Sequence, residues 1–557
     1  MRRILLLPAI GAVAAAIGLA QASEPAKDDA TRLASTTVAD EPMLPAIALP
    51  TLPPISPPAA SEPPATPAAA TATEPEPKRL GSALAAELQS RMAALPAGAD
   101  RAAIGQFYEA RGFEPVWMTS SGAGAAAAIA GEIAKAGEWG LKAADFEVPS
   151  VTVAGTDAQR ADAEIRLALA VLKYARHARG GRFDPAQLSN YIDRKAQLLE
   201  PKAVLDGIVA AKEPDAFLRG LHPQHPQFQW LRQKYLAARA APPAAAIPAA
   251  TAKDKAAAAP TPQAYARRLL ANMEQWRWMP ADMGDTYVWV NIPEFTLRVV
   301  KGGRVVHTER VITGKADTQT PIFSDEMETV VFHPVWGVPD SIKIKEILPN
   351  VARGGSVLAK NNLRMSYKGR DVDPQAVDWT QVDIRQLHVY QPPGGPNVLG
   401  VVKFLFPNKH QVYMHDTPTK DLFNASQRTF SHGCMRVRNP LKLAEVVLGN
   451  DKSWGPERIA SLAGPGAQQN NHVHLTHKIP VHITYFTAFV DESGTAQLRP
   501  DIYGHEERVH MGLDGKAHLI ARNKDDLGKV RADVVSRLVE ARQRSGGTNW
   551  IKQILGF

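Results

Sequence analysis

Apolar residues recur at three- and four-residue spacing through LGSALAAELQSRMAAL and again through ADAEIRLALAVLKYARHARGG, where a Gly-Gly pair stops the run. That period is the mark of helices with one buried face, and it predicts a helical domain over residues 79–240. Within it, FYEARGFEPVW (Phe107 to Trp117) is a short, turn-rich unit whose aromatics fit a core and suggest no chemistry. The pattern changes near Tyr287. YVWVNIPEFTLRVVKGGRVVHTERVITG reads as strands, with Gly302-Gly303 as a hairpin turn, and ETVVFHPVWGVP, VVKFLFP, HQVYMHD and PVHITYFTAFV add further short β pieces. Repeated short strands with turn signals predict a mainly β domain over 264–508. The fold class expected is therefore multidomain α+β.

Polar stretches set the remaining boundaries. Residues 23–78 are dominated by Pro, Ala, Thr and Glu, a composition that buries no core and favours extended polyproline geometry, so they read as a tether. A second Ala/Pro linker occupies 241–263. Between two predicted strands lies a long polar stretch, 340–399, containing YQPPGGPN, and insertions of this length in a compact domain often form lids or binding loops. Residues 471–477, NHVHLTH, read as a solvated loop. The tail, 509–557, carries one amphipathic helix with a basic end (DDLGKVRADVVSRLVEARQR), to which the sequence gives no role.

The chain opens MRRILLLPAIGAVAAAIGLAQAS, with a basic start, an apolar stretch and a small-x-small site ending at Ala22. This is the layout of a secretory signal peptide over 1–22. The expectation is export to the periplasm, with inner-membrane anchoring as the alternative if the leader stays uncleaved. No later segment is apolar for long enough to span a bilayer. Loss of the leader takes the formal charge from +8 to +6, which suits a polyanionic partner and also suits simple solubility. The single cysteine among 557 residues, Cys434, says more. It has no internal disulfide partner, and a stray thiol in an oxidising compartment is a liability.

Cys434 stands in FSHGCMRVRNP, two residues after His432, while His415 ends the strand-like VYMHD. A nearby imidazole lowers a thiol's pKa and accepts its proton. His432 shares a face with Cys434 in extended geometry, and His415 can be brought alongside by strand pairing. Asp416, at the turn that follows, can fix the strand end or orient the imidazole. Gly433 lets a carbonyl approach the backbone, so the amides of Gly433 and Cys434 are candidates for an oxyanion hole. A His/His/Cys zinc site lacks a fourth ligand at ordinary spacing, and a purely structural role remains open, so the residues alone favour thiol acyl transfer with no metal and no cofactor.

HDTPTKDLFNASQRTFSHGCMRV resembles the signature of the L,D-transpeptidases, the YkuD-type catalytic domain, in which a histidine precedes [ST]HGC; here fifteen residues separate His415 from Ser431. The resemblance runs from NMEQWRWMP to HITYFTAFVDESGTAQLRPDIYG and is to the large, YcbB-like periplasmic branch, weaker in the helical scaffold domain. It implies Cys434 as nucleophile and His415 as general base, with Ser431, His432, Gly433, Asp416 and Arg436 in support. Arg436 stands where many family signatures have Asn; a stem carboxylate and an internal salt bridge are both open as its partner. The resemblance further implies that 340–399 caps the site, with Trp336, Tyr390, Gly394 and Gly395 as candidates for a substrate groove, although core packing is the favoured role for the aromatics.

The implied reaction takes a tetrapeptide stem of peptidoglycan, releases D-alanine and joins two diaminopimelates in cell-wall biogenesis, with carbapenems as acylating inhibitors. Alternatives are the same chemistry with a D-amino acid or an envelope protein as acceptor, and a non-catalytic wall-bound scaffold. The partners expected are peptidoglycan stems and, through the helical domain, other cell-wall synthesis proteins, with no nucleic acid. No peptidoglycan-binding module is evident, and the sequence does not give an oligomeric state.

Overall fold

The structure, a computed structural model, describes residues 83–152, 154–242, 260–491, 493–521 and 527–544. The predicted leader, the tether and most of the Ala/Pro linker lie outside them. Among the described residues no helix is long and apolar enough to cross a membrane.

Seven helices build the first domain: α1 (Ala83–Ala93), α2 (Ala99–Glu109), α3 (Ala123–Ala134), α4 (Asp157–Gly180), α5 (Pro201–Ala210), α6 (Pro214–Gly220) and α7 (Pro226–Ala240). The long helix α4 begins at a capping box, with the Thr156 and Gln159 side chains each bonded to the other's amide, and stops at Gly181, whose φ is +87°. Its Glu164 is fully buried yet satisfied, because it accepts from Tyr108 Oη at 2.9 Å and from the amides of Val116, Trp117 and Met118. That carboxylate folds the FYEARGFEPVW unit back onto the core, where Phe107, Tyr108 and Trp117 are buried.

Helix α8 (Pro262–Trp276) leads into the β domain. Nine strands form one sheet: β1 (Thr286–Asn291), β2 (Thr296–Lys301), β3 (Arg304–Gly314), β4 (Ser324–Phe332) and, past an insertion, β9 (Val402–Leu405), β10 (Met414–His415), β11 (Thr429–Ser431), β12 (Met435–Val437) and β13 (Asn471–Thr484). Their order is β11-β3-β12-β10-β9-β4-β13-β1-β2, and β2 also pairs with β3 through the Gly302-Gly303 turn, so the sheet closes on itself. Val, Ile, Phe and Met from these strands fill the interior. The reading of 471–477 as a solvated loop is corrected: these residues extend β13, held by pairing with β4, and His474 Nδ1 lies 3.0 Å from Thr329 Oγ1.

The insertion begins at Trp336, a few residues before the boundary read from sequence. It carries its own small sheet of β5 (Trp336–Gly337), β6 (Arg364–Tyr367), β7 (Arg370–Asp371) and β8 (His388–Gln391), in the order β5-β8-β6-β7. Short helical turns complete it, and a separate core of Val338, Ile344, Ile347, Leu348, Trp379 and Val389 holds it together. The covalent boundary at 241–263 is not a packing boundary. Leu188 and Ile192 of the helical domain are buried in the core of the closed sheet, and Phe228, Leu231 and Tyr235 share another core with Trp276, Trp289 and Phe486.

Candidate active site

Strand pairing brings the two halves of the motif together. β10 runs parallel to β12 with His415 opposite Arg436, so the loop that enters β12 sets Cys434 beside the end of β10. His415 is buried, and its Nδ1 lies 2.5 Å from the carbonyl oxygen of Asp416. A carbonyl only accepts, so Nδ1 carries the proton and Nε2 is the nitrogen left to receive one. The Asp416 carboxylate does not touch the ring. It accepts from the amides of Val401 (2.9 Å) and Thr417 (2.7 Å) and from Lys420 Nζ (2.5 Å), fixing the strand end that presents the imidazole.

The Ser431–Cys434 turn is a closed ring of hydrogen bonds. Ser431 Oγ donates to the Cys434 carbonyl at 2.6 Å and receives the Gly433 amide at 3.2 Å. Thr320 Oγ1 donates to the Gly433 carbonyl at 2.8 Å, and the Lys315 amide donates to that of Ser431 at 3.0 Å. Gly433 has φ +116°, a conformation that requires glycine. Its amide serves the ring and is not open to an incoming oxyanion, which corrects the expectation of a paired Gly433–Cys434 hole; the Cys434 amide is the remaining candidate.

Cys434 and His415 are held neutral. Burial pushes the thiol up to about 11, although hydrogen bonds from Tyr413 and the charge of Arg436 oppose it. Burial lowers His415 to about 3, helped by Arg436, Lys403 and Lys420. The Tyr413 ring meets His415 edge-on at 5.7 Å, and burial raises its hydroxyl well above the ordinary value, with the Cys434 charge adding to that. Arg436, half-buried, has Thr419 Oγ1 at 3.1 Å as its side-chain partner and forms no ion pair among the described residues. The internal salt bridge left open by the sequence is therefore not formed.

Other expected residues scatter. His432 points to the insertion, where its Nε2 lies 2.8 Å from Glu346 Oε1. Tyr390 stacks on His388 within the insertion at 4.9 Å. Gly394 and Gly395, with φ of +80° and +51°, form an exposed turn in which a side chain would meet nothing; the turn explains these glycines, and no contact joins them to Cys434.

A cleft of about 160 Å³ lies on the Gly433 side of the loop, lined by Gln319, Lys345, Glu346, His432 and, from the helical domain, Tyr191. The sequence reading missed Tyr413, Glu346 and Tyr191. Tyr413 had a signal, being two residues before His415 on the same strand face; the other two arrive only by tertiary packing. Among the described residues no group of acidic, histidine or cysteine side chains is placed to hold a metal ion.

Two family models match the chain: a scaffold domain over residues 102–234 and the L,D-transpeptidase catalytic domain, YkuD, over residues 285–467. A Haemophilus influenzae protein provisionally named as an L,D-transpeptidase is 28% identical over 246 residues, 44% of this chain and 49% of the relative. The chain thus spans about half the length of the curated relative it matches. Solved structures with similarity include an L,D-transpeptidase from Mycobacterium smegmatis (13% identity, TM-score 0.17, 36% of this chain and 58% of the other). Another is L,D-transpeptidase 3 from Mycobacterium tuberculosis (11% identity, TM-score 0.18, 36% and 61%). At scores this low the structural likeness carries no argument.

Proposed function

We propose that this protein, whose residues 285–467 match the L,D-transpeptidase catalytic domain, is an exported peptidoglycan L,D-transpeptidase that joins two diaminopimelates through a Cys434 thioester. The observation that supports it best is the pairing of β10 with β12, which puts the strand that ends in a tautomer-fixed His415 next to the strand that Cys434 enters. In this reading Nε2 of His415 takes the Cys434 proton as sulfur bonds to the stem carbonyl. The adduct expels D-alanine, whose amine takes that proton. An amine of a second stem then attacks the thioester, gives its proton to His415, and the thiol leaves with it. Arg436, whose side-chain partner among the described residues is the Thr419 hydroxyl, is suited to a stem carboxylate.

The test uses the full-length protein with defined tetrapeptide muropeptides. Wild type is expected to yield dimers lacking the donor D-alanine, and Cys434→Ala to lose at least roughly 10³-fold of that rate. Equal product from the variant would overturn the assignment. Supplying a D-amino acid or a protein amine instead of the second stem distinguishes the other acceptors.

The pH profile tests the neutral pair. His415 must be unprotonated to act as base, and with its value lowered to about 3 the acid limb lies there rather than in the ordinary histidine range. The thiol stays protonated up to about 11. The acylation rate should therefore be flat between about pH 5 and 9. A limb near the ordinary histidine value of about 6.5 that disappears in a His415 variant would refute a neutral resting pair.

A further inference from the structure

The insertion meets the catalytic loop through one helical turn. Lys343–Ile347 is a π-helical turn whose Ile344 and Ile347 are buried in the insertion's own core. Lys343 is held inward, its Nζ 3.1 Å from the Leu387 carbonyl. Lys345 and Glu346 are left facing the cleft. Glu346 Oε1 lies 2.8 Å from Nε2 of His432, two residues from the thiol, and both partners are about 40% exposed. At its base the insertion is joined to the sheet differently, through Asn397 Nδ2 donating to the Pro334 carbonyl at 3.0 Å and Lys403 Nζ to the Val335 carbonyl at 3.4 Å.

The last described helix, α15 (Leu527–Arg544), packs on this same turn. Its Val530 and Val534 extend the insertion's core, and Arg531 reaches Asp383 and the Val382 carbonyl, each at 3.4 Å. Helix α15 is therefore one layer away from the residue that touches the Ser431–Cys434 loop.

We propose that Glu346 is a positioning residue that latches the insertion onto the catalytic loop through His432, and that α15 braces the turn carrying it, so this helix sets how readily the cleft opens to a stem peptide. The proposal rests on Cys434 being the nucleophile for its bearing on turnover, but the latch itself can be measured without turnover. His432 then acts in the reaction through the insertion it holds, and the basic tail acquires a mechanical role.

The experiment compares full-length wild type with Glu346→Gln, Glu346→Asp and the pair Arg531→Ala with Val534→Ser. Three quantities are read: hydrogen exchange over residues 340–352, the rate of Cys434 alkylation by iodoacetamide, and KM and kcat on the muropeptide donor. Glu346→Gln is expected to raise exchange and alkylation roughly two- to fivefold, as suits a half-exposed pair. KM rises by a similar factor while kcat stays within about twofold, and Glu346→Asp recovers part of the loss. The α15 variant raises exchange up to roughly tenfold, and adding Glu346→Gln to it has less than the additive effect.

Wild-type exchange and alkylation in Glu346→Gln, with an unchanged melting temperature, would overturn the latch. Loss of the whole fold in the α15 variant would overturn its role as a local brace, leaving Glu346→Gln and Glu346→Asp to decide the latch alone. If wild type forms no dimers the proposed reaction fails, while exchange and alkylation still decide the latch.

Discussion

The helical domain and the insertion both pack on the closed sheet, and they are attached in opposite ways. The helical domain shares two apolar cores with the sheet and its flanking helix. Its main polar contacts there are buried or partly buried: Arg277 Nη2 donates to the Trp139 carbonyl at 2.5 Å, Glu274 accepts the Arg182 amide at 2.5 Å, and Gln227 exchanges hydrogen bonds with the main chain of Val490. The insertion keeps a core of its own and meets the Ser431–Cys434 loop through the half-exposed Glu346–His432 contact. Buried polar pairing resists any relative shift, whereas a small exposed contact yields to local opening. The first domain is thus fixed to the sheet, and the insertion is the more weakly held of the two.

The largest effect that would break this contrast comes from the fixed side. Arg277 and Glu274 are both fully buried and paired at 3.3 Å. Arg277→Ala leaves a buried carboxylate without its cation and should destabilise the whole protein by about 3–5 kcal/mol, read as a single cooperative shift in urea denaturation. Two separated transitions, with only the helical domain melting early, would show that the two domains are not welded.

The sequence disclosed the site unevenly, for physical reasons. Cys434 and His415 stand out as candidates in the sequence because such chemistry is carried by residue type and by a motif whose parts lie on adjacent strands. The division into helical and β regions was legible because the hydrophobic period changes near Tyr287. The shared cores were not: Leu188 and Ile192 follow helix α4 and look like helical-domain residues, yet Ile192 makes a parallel bridge to Ile322 in the β domain. Local period reports which face is buried and says nothing of what buries it. The same holds for Glu346, an ordinary surface acid by sequence, and for the Gly433 amide, whose partner Ser431 was visible but whose hydrogen bond depends on the turn closing.

The smallest effect sharpens the contrast at its margin, where the helical domain approaches the cleft. Tyr191 lines that cleft, and the bridge beside it is secured by Asp193, which lies 2.7 Å from Lys409 Nζ and 3.1 Å from His410 Nε2. Burial alone would raise the Asp193 carboxyl, but its hydrogen bonds to Lys409 and His410 outweigh that and hold it below the usual range. A carboxyl lowered in the folded state stabilises above its unfolded value, about 4, and loses that contribution as pH falls through the folded value. Asp193→Asn should therefore cost no more than about 1 kcal/mol at neutral pH, since Lys409 is largely exposed. The difference in melting temperature from wild type should narrow steadily below about pH 4. A deficit that stays constant into acid would mean that Asp193 acts through shape and hydrogen bonding alone, and that the rim of the fixed domain does not depend on its charge.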